Sequence, residues 1–199
     1  MTVKRLNLIA AFCVTCLSFA AGQQFDAAFG VSGLQGPSGA EASGNFSPQT
    51  IGGGAYPTFS GDFLFWKHFG VGGEVSWRAS QNLYAGVQPF RPIFYTVNGV
   101  WAPQLAKRVS AELLAGLGAE NLRFYTGFVT CGSFSGCTNY VSTSHFMGHF
   151  GGGLRLYVTH NLFVRPEAHL YLVHNNFEFS GSRATRYGLS IGYSWGGER

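Results

Sequence analysis

The sequence predicts an all-β fold, a closed antiparallel transmembrane β-barrel of eight strands. The first observation is that apolar side chains alternate with small or polar ones along segment after segment, as on strands with two different faces. The second is composition: charged residues are 11% and aromatic residues 16% of the chain, so a medium other than water is expected to face much of the surface. The third is that short and long connections alternate, which is typical of outer-membrane barrels.

Residues 1–22 are typical of a cleaved signal peptide. Lys4 and Arg5 precede an apolar stretch from Leu8 to Phe19, and small residues follow at Ala20-Ala21-Gly22. The alternative, an uncleaved anchor helix, is disfavoured because the apolar stretch is too short to span hydrocarbon. We therefore expect export, cleavage before Gln23 and a single barrel domain over residues 23–199.

The mature chain contains eight segments that alternate like strands. In the last of them, Tyr187 to Trp195, large apolar residues occupy one parity and glycine or serine occupies the other. The predicted strands lie near 24–33, 57–66, 69–78, 90–101, 109–125, 144–158, 162–173 and 185–195. Long loops are predicted at 34–56, 79–89, 126–143 and 174–184.

Aromatic residues on the apolar parity distinguish a membrane barrel from a soluble barrel or sandwich, which remains the alternative fold. They gather near both ends of the predicted strands and so predict two girdles at the membrane interfaces. The girdle at the short turns contains Phe25, Phe65, Trp101 and Trp195, and the girdle toward the loops contains Trp77, Tyr125, Phe146 and Tyr187.

Two stretches carry a family resemblance. Gly151-Gly152-Gly153-Leu154-Arg155-Leu156 and Asn161-Leu162-Phe163-Val164-Arg165-Pro166-Glu167 resemble the sixth strand, short turn and seventh strand of the small outer-membrane barrels related to the OmpA transmembrane domain. The resemblance implies eight strands, periplasmic termini, four outer loops and an outer-membrane location. It also implies outer-membrane lipids and the barrel assembly machinery as partners. Because proline removes a ladder hydrogen bond, we expect a local bulge at Pro166.

Charged residues on the opposite parity predict an ionic network inside the barrel. The candidate residues are Glu74, Glu112, Arg155, Arg165 and Glu167. An eight-stranded barrel has room for side chains and little else, so these acids and bases are expected to pair around one narrow axis. Their pairing would block the lumen.

The mature chain keeps two of the four cysteines, Cys131 and Cys137. Because they lie six positions apart in an exported chain, we expect one disulfide, in the third outer loop. In the leader, Cys16 raises lipidation as a lesser alternative, since Thr15 precedes it where a lipoprotein signal has a small residue.

No catalytic, cofactor or metal site is predicted. His145 and His149 are four apart, which on a strand separates them by roughly 13 Å at about 3.3 Å per residue, too far to share one metal. His169, His174 and Ser180 are the rim candidates for a lipid-modifying enzyme, but they form no nucleophile, base and orienting group at plausible spacing.

The predicted function is structural or surface-interacting, through the outer loops, with an unknown surface ligand. A narrow channel is the alternative, and a lipid-modifying enzyme is the third possibility. Without Lys4 and Arg5 the chain keeps 11 basic and 9 acidic residues, so nothing indicates nucleic acid. Five arginines near the predicted outer rim are equally compatible with lipid phosphates and with solvated loops: Arg78, Arg91, Arg123, Arg183 and Arg186.

Overall fold

The structure is a computed structural model that describes residues 23–37, 50–66, 68–132, 136–176, 178–179 and 181–196. The predicted signal peptide lies outside these residues. The described chain forms ten strands: β1 (Gln24–Gln35), β2 (Ala55–Trp66), β3 (Phe69–Trp77), β4 (Asn82–Tyr84), β5 (Gln88–Trp101), β6 (Gln104–Ala106), β7 (Val109–Gly132), β8 (Gly136–Tyr157), β9 (Leu162–Val173) and β10 (Arg183–Gly196).

Eight of these strands form a closed antiparallel ring. The hydrogen-bonded order is β5-β3-β2-β1-β10-β9-β8-β7, and a pairing of β5 with β7 joins the two ends. The short strands β4 and β6 pair outside the ring with β5 and β7. The predicted eight-stranded barrel is confirmed. Among the described residues, no helix is long and apolar enough to cross a membrane.

The connections lie at two ends of the barrel, which we call the loop end and the turn end. The turn end holds the start of β1, the end of β10 and the β2–β3, β5–β7 and β8–β9 connections. The loop end holds the β1–β2, β3–β5, β7–β8 and β9–β10 connections. The long connections therefore all lie at one end, as the sequence predicts.

Strands β7 and β8 are much longer than predicted. They stay paired from Val109↔Leu156 to Gly132↔Gly136, with one register shift between Tyr125 and Thr130. The prediction of a loop over 126–143 was therefore wrong. The polar and glycine-rich sequence there loses the alternation of the barrel because it has no lipid on one side and no lumen on the other, yet backbone pairing continues the hairpin.

The outward face of the ring is apolar and exposed. Side chains such as Phe29, Val97 and Leu117 point away from the lumen, each more than half exposed. At the turn end, Phe25 packs against Trp195 and Phe69 stacks on Trp101, with ring centroids 5.5 Å and 6.0 Å apart. An aliphatic band bordered by aromatic rings is the surface that a bilayer requires.

The prediction of a bulge at Pro166 was wrong. Pro166 faces Leu189 of β10 in regular register. On the β8 side, Gly153↔Glu167 and Leu156↔Val164 belong to the same register, so the pairing lapses around the proline without a shift. Strands β8 and β9 therefore accommodate the missing N–H of Pro166 by a local loss of pairing, without the extra residue that a bulge would insert.

Candidate functional site: the charged lumen and the loop-end hairpin

Arg155, on β8, is the centre of the first ion-pair group in the lumen. Its guanidinium is fully buried and contacts three carboxylates: Asp26 of β1, Glu112 of β7 and Asp62 of β2, the last at 2.8 Å. Its guanidinium carbon also lies 5.4 Å from the centre of the Phe163 ring. One cation thus joins four strands, and its five N–H donors suit this multiple pairing.

Arg165, on β9, links this group to a second one. Its Nη1 donates to Glu112 Oε1 at 2.7 Å and its Nε donates to Glu167 Oε2 at 2.8 Å. Its Nη2 donates to Ser60 Oγ at 2.8 Å. Glu112 therefore accepts from both Arg155 and Arg165, and the ion pairs are continuous across the barrel.

Arg186, Glu74 and Tyr171 form the part of the network nearest the loop end. Arg186 Nη2 lies 2.8 Å from Glu74 Oε1 and 3.5 Å from Glu167 Oε1. The Tyr171 hydroxyl donates to Glu74 Oε1 at 3.2 Å. All of these side chains are buried, so each charge depends on its partners and not on water.

The structure brings all five sequence-predicted lumen residues, Glu74, Glu112, Arg155, Arg165 and Glu167, into this one connected set of contacts. Asp62, on the inward parity of β2, also belongs to this set, and sequence reasoning missed two further members. Asp26 follows the outward-facing Phe25, and Arg186 precedes the outward-facing Tyr187. Because side chains alternate along a strand, both residues could have been placed inside the barrel.

The five rim arginines divide into two classes. Arg186 and Arg78 are buried, so their assignment to the outer rim was wrong. Arg91 and Arg123 are partly exposed on the outward parity, opposite each other on β5 and β7, and Arg183 is exposed at the start of β10. Only these three are positioned to meet lipid headgroups or ligands.

Two histidines meet edge to edge in the middle of the lumen. His149 of β8 and His169 of β9 have parallel rings, with Nε2 of His149 2.9 Å from Nδ1 of His169. His149 Nδ1 lies 2.7 Å from Asn98 Oδ1. His145 lies elsewhere, 3.0 Å from Glu178 near the loop end. No spacing or motif in the sequence indicates this cross-strand pair.

Apolar clusters border the charged network at both ends. Toward the loop end, a buried cluster that includes Phe90, Phe94 and Leu122 fills the barrel. The Phe94 ring stacks on the Tyr171 ring, with the ring centroids 4.9 Å apart. Toward the turn end, Tyr157 and Phe163 pack on Ala28. In the described part of the chain, the lumen is therefore filled by side chains, which disfavours the channel alternative.

Among the described residues, the β7–β8 hairpin contains the two longest strands and extends the loop end. Cys131 and Cys137 are joined by a disulfide near its tip. Below the tip, Phe128 is 82% exposed and Val129 is 67% exposed. The hairpin is therefore closed covalently near its tip and exposes large apolar side chains to solvent.

A basic and aromatic surface lies at the base of this hairpin, on the outward side of the barrel. The Arg123 guanidinium lies 4.8 Å from the centre of the Tyr140 ring, and the Arg91 guanidinium lies 5.9 Å from the centre of the Tyr125 ring. Tyr125 and Tyr140 face each other across the two strands. Both cations are held by aromatic faces while their N–H groups remain partly exposed.

The residues considered for lipid-modifying catalysis are not brought together. His169 is buried in the lumen, and His174 occupies the turn after β9. Ser180 lies outside the described residues. A lumen histidine has no access to lipid acyl chains, so the geometry gives the enzyme alternative no support.

Neither a protein-family model nor a curated protein matches this chain. Its structure is similar to that of Neisserial surface protein A, with a TM-score of 0.60 and 11% identity over 87% of this chain and 97% of that one. It is also similar to Ail, the attachment invasion locus protein of Yersinia pestis, in complex with the heparin analogue sucrose octasulfate. There the TM-score is 0.57, with 14% identity over 87% of this chain and 99% of that one.

A third similar structure is the N-terminal β-barrel domain of Pseudomonas aeruginosa OprF, with a TM-score of 0.54 and 12% identity over 88% of this chain and 98% of that one. At these identities the likeness concerns the fold. It confirms the predicted resemblance to small outer-membrane barrels over nearly their full length.

Proposed function

We propose that this protein is an integral outer-membrane barrel, without enzymatic activity, that presents its β7–β8 hairpin at the cell surface for interaction with another molecule. The observation that carries the proposal is the disulfide-pinned hairpin, whose apolar side chains Phe128 and Val129 are exposed beyond the barrel. The filled lumen supports an anchoring role for the barrel itself.

The outer-membrane location is supported by the outward face and by the N-terminal sequence. The exposed aliphatic band and its aromatic border suit a bilayer, and residues 1–22 suit export before cleavage near Gln23. Insertion would then require the barrel assembly machinery. We expect the mature chain to start near Gln23 by N-terminal sequencing and to remain in outer membranes after alkaline extraction; recovery in the soluble periplasm would contradict the proposal.

The orientation can be tested with two matched epitope insertions. One is placed at Ala85-Gly86, in the turn between β4 and β5 at the loop end, and the other at His160, in the turn between β8 and β9. Antibody added to intact cells should label only the first insertion, whereas permeabilised cells should be labelled for both. Labelling of the His160 insertion alone on intact cells would reverse the orientation.

Outer-leaflet lipid is the second partner that we propose. Arg91 and Arg123 lie on the outward side just above the apolar band, where guanidinium groups can pair with lipid phosphates. The same groups could contact a sulfated ligand, as the complex of Ail with sucrose octasulfate illustrates for that protein. Lipid phosphates and a sulfated ligand differ in their location and in the salt sensitivity of their binding. Binding of a sulfated ligand can therefore be measured separately, with the protein in nanodiscs of neutral lipid.

The interaction itself is tested by adhesion. Cells that express the protein are applied to surfaces coated with heparin or with collagen, in parallel with cells that carry an empty vector. We expect adhesion above the vector control on one of the coats, and its loss in the double variant Phe128→Ser, Val129→Ser. The matched control is Val87→Ser, an exposed residue in the turn after β4. Equal adhesion by vector and protein on both coats would contradict a surface-interaction role.

A further inference from the structure

The buried charges of the described residues do not balance. Contacts in the lumen join five buried carboxylates and three buried guanidiniums, an excess of two negative charges when the carboxylates are ionised and the buried histidines are neutral. The carboxylates are those of Asp26, Asp62, Glu74, Glu112 and Glu167, and the guanidiniums are those of Arg155, Arg165 and Arg186. A low-dielectric interior strongly disfavours uncompensated charge, so positive charge is expected to join this network.

The hydrogen-bond partners of His149 and His169 show where that charge belongs. Asn98 Oδ1 can only accept, so His149 must carry a proton on Nδ1. His169 Nε2 faces carboxylate oxygens of Glu167 at 3.6 Å and Glu74 at 3.9 Å, so it is also the protonated nitrogen of its ring. These two tautomers leave the facing nitrogens, His149 Nε2 and His169 Nδ1, with lone pairs directed at each other across 2.9 Å.

Two lone pairs at that distance repel unless a positive species lies between them. A third donor is available beside them, because Glu74 Oε2 is buried and makes no hydrogen bond within the described part of the chain. The other oxygen of this carboxylate is held by Arg186 and Tyr171. One ligand atom each from Glu74, His149 and His169 lies within 4.8 Å of the other two.

We propose that Glu74, His149 and His169 form a binding site for one divalent transition-metal ion of the zinc class, inside the barrel. Two imidazole nitrogens and one carboxylate oxygen are donors that such ions prefer, whereas magnesium and calcium prefer oxygen donors alone. A tetrahedral ion with ligands at about 2.0–2.1 Å separates them by about 3.4 Å, so small side-chain rotations complete the site. The ion's two positive charges equal the negative excess.

The surrounding residues match the outer shell of a metal site. Metal-bound histidines usually donate their second N–H to a carbonyl or a carboxylate, which fixes the ring. Asn98 Oδ1 accepts from His149 in this way, and the Glu167 carboxylate faces His169 Nε2. The Tyr171 ring stacks on His149 with the ring centroids 5.0 Å apart. The ligands are therefore positioned from outside the site as well as by their own strands.

The metal is tested on the full mature chain, folded from denaturant into detergent micelles with Zn²⁺ present because the site is buried. After desalting in the presence of a weak chelator, elemental analysis should find about one Zn²⁺ per folded chain. Co²⁺ in place of Zn²⁺ should give the visible absorption of a tetrahedral site. Mg²⁺ at the same concentration should not be retained.

Variants then assign the ligands. His149→Gln, His169→Gln and Glu74→Gln should each weaken Zn²⁺ binding at least about tenfold, and Asn98→Leu should weaken it by about 10–100-fold, the range for loss of an outer-shell partner. His160→Gln, in an exposed turn, and His145→Gln, near the loop end, are matched controls that should retain the metal. Circular dichroism identifies the variants that fold, and only these are compared.

Two outcomes would overturn the proposal. The first is Zn²⁺ retention that is the same in the wild type and in a folded His169→Gln variant. The second is a wild-type protein that folds in the presence of Zn²⁺ and retains none; an imidazolium at His149 or His169 in its ¹⁵N NMR spectrum would then show that a proton occupies the position between the rings. Loss of surface adhesion has no bearing on either outcome, because the hairpin and the lumen site share no residue.

Discussion

The lumen network and the β7–β8 hairpin are both built by paired strands, but they depend on the rest of the molecule in opposite ways. In the lumen, Arg155 pairs with Asp26, a residue 129 positions away in sequence. In the hairpin, the disulfide joins cysteines six positions apart, and Arg123 lies over a tyrosine on the next strand. Contacts across the lumen, such as Arg155 with Asp26, form only when the ring is closed, whereas the hairpin contacts need two neighbouring strands.

The comparison indicates that the stability of the barrel depends on the lumen and that recognition depends on the hairpin. A change in the lumen leaves a buried charge without a partner and should be felt by the whole barrel. A change in the hairpin removes an exposed or local contact and should leave the barrel intact. The effects of substitutions on barrel stability should therefore differ between the two regions, and four substitutions test this difference in order of decreasing effect.

The largest effect is expected for Arg165→Ala, because Glu112 and Glu167 lose a buried partner. The free energy of unfolding in lipid should fall by about 3–5 kcal/mol, as for other broken buried pairs. Arg183→Ala is the control at the exposed start of β10 and should change it by about 0–1 kcal/mol. Denaturant titration measures both free energies. Equal small losses would place Arg165 in solvent.

The second effect concerns close packing on the inward face. A Cβ at Gly118 would lie 2.0 Å from the backbone oxygen of Tyr95, so Gly118→Ala should cost about 1–3 kcal/mol of unfolding free energy. At Gly73, on the outward face, the nearest atom would be 3.7 Å away. Gly73→Ala should therefore be close to neutral in the same titration. A neutral Gly118→Ala would show that strands β5 and β7 can separate freely at this level.

A smaller effect is expected for the double variant Cys131→Ser, Cys137→Ser. A disulfide that closes a ring of this length stabilises the folded state by about 2 kcal/mol at most, because it restricts the unfolded chain. The disulfide also lies outside the barrel. Barrel unfolding should shift by no more than that, while limited proteolysis should cut the hairpin faster. Thiol labelling of the wild type purified without reductant should find almost no free cysteine. A large loss of barrel stability would mean that the hairpin supports the ring.

The smallest effect is expected for Arg123→Ala. Its partly exposed guanidinium contacts the Tyr140 ring, an interaction worth about 0.5–1 kcal/mol at such sites. Barrel stability should therefore hardly change, although binding of anionic lipid or heparin by the protein in nanodiscs should weaken. Lys107→Ala at the turn end is the control and should leave binding unchanged. Unchanged binding in Arg123→Ala would remove this arginine from the proposed surface.

The number of ring strands, the closed antiparallel architecture and the two faces of each strand could be predicted from the sequence alone. These features follow from alternation with a period of two, which is local and needs no knowledge of neighbours. For the same reason Glu112, Arg155 and Arg165 could be placed inside before any contact was known. The same alternation also places Asp26 and Arg186 inside. Arg186 was nevertheless assigned to the outer rim, because it lies close to a predicted loop.

Which inward residues contact each other depends on the folded barrel and could not be predicted. Partners across a closed barrel depend on register and on how the strands are staggered, and neither is written in the alternation of one strand. Hence His149 was compared with His145 on its own strand, while its actual neighbour is His169 on the next one. The extension of β7 and β8 beyond the barrel was hidden for a related reason: backbone pairing maintains these strands where no lipid or lumen imposes a pattern on their side chains.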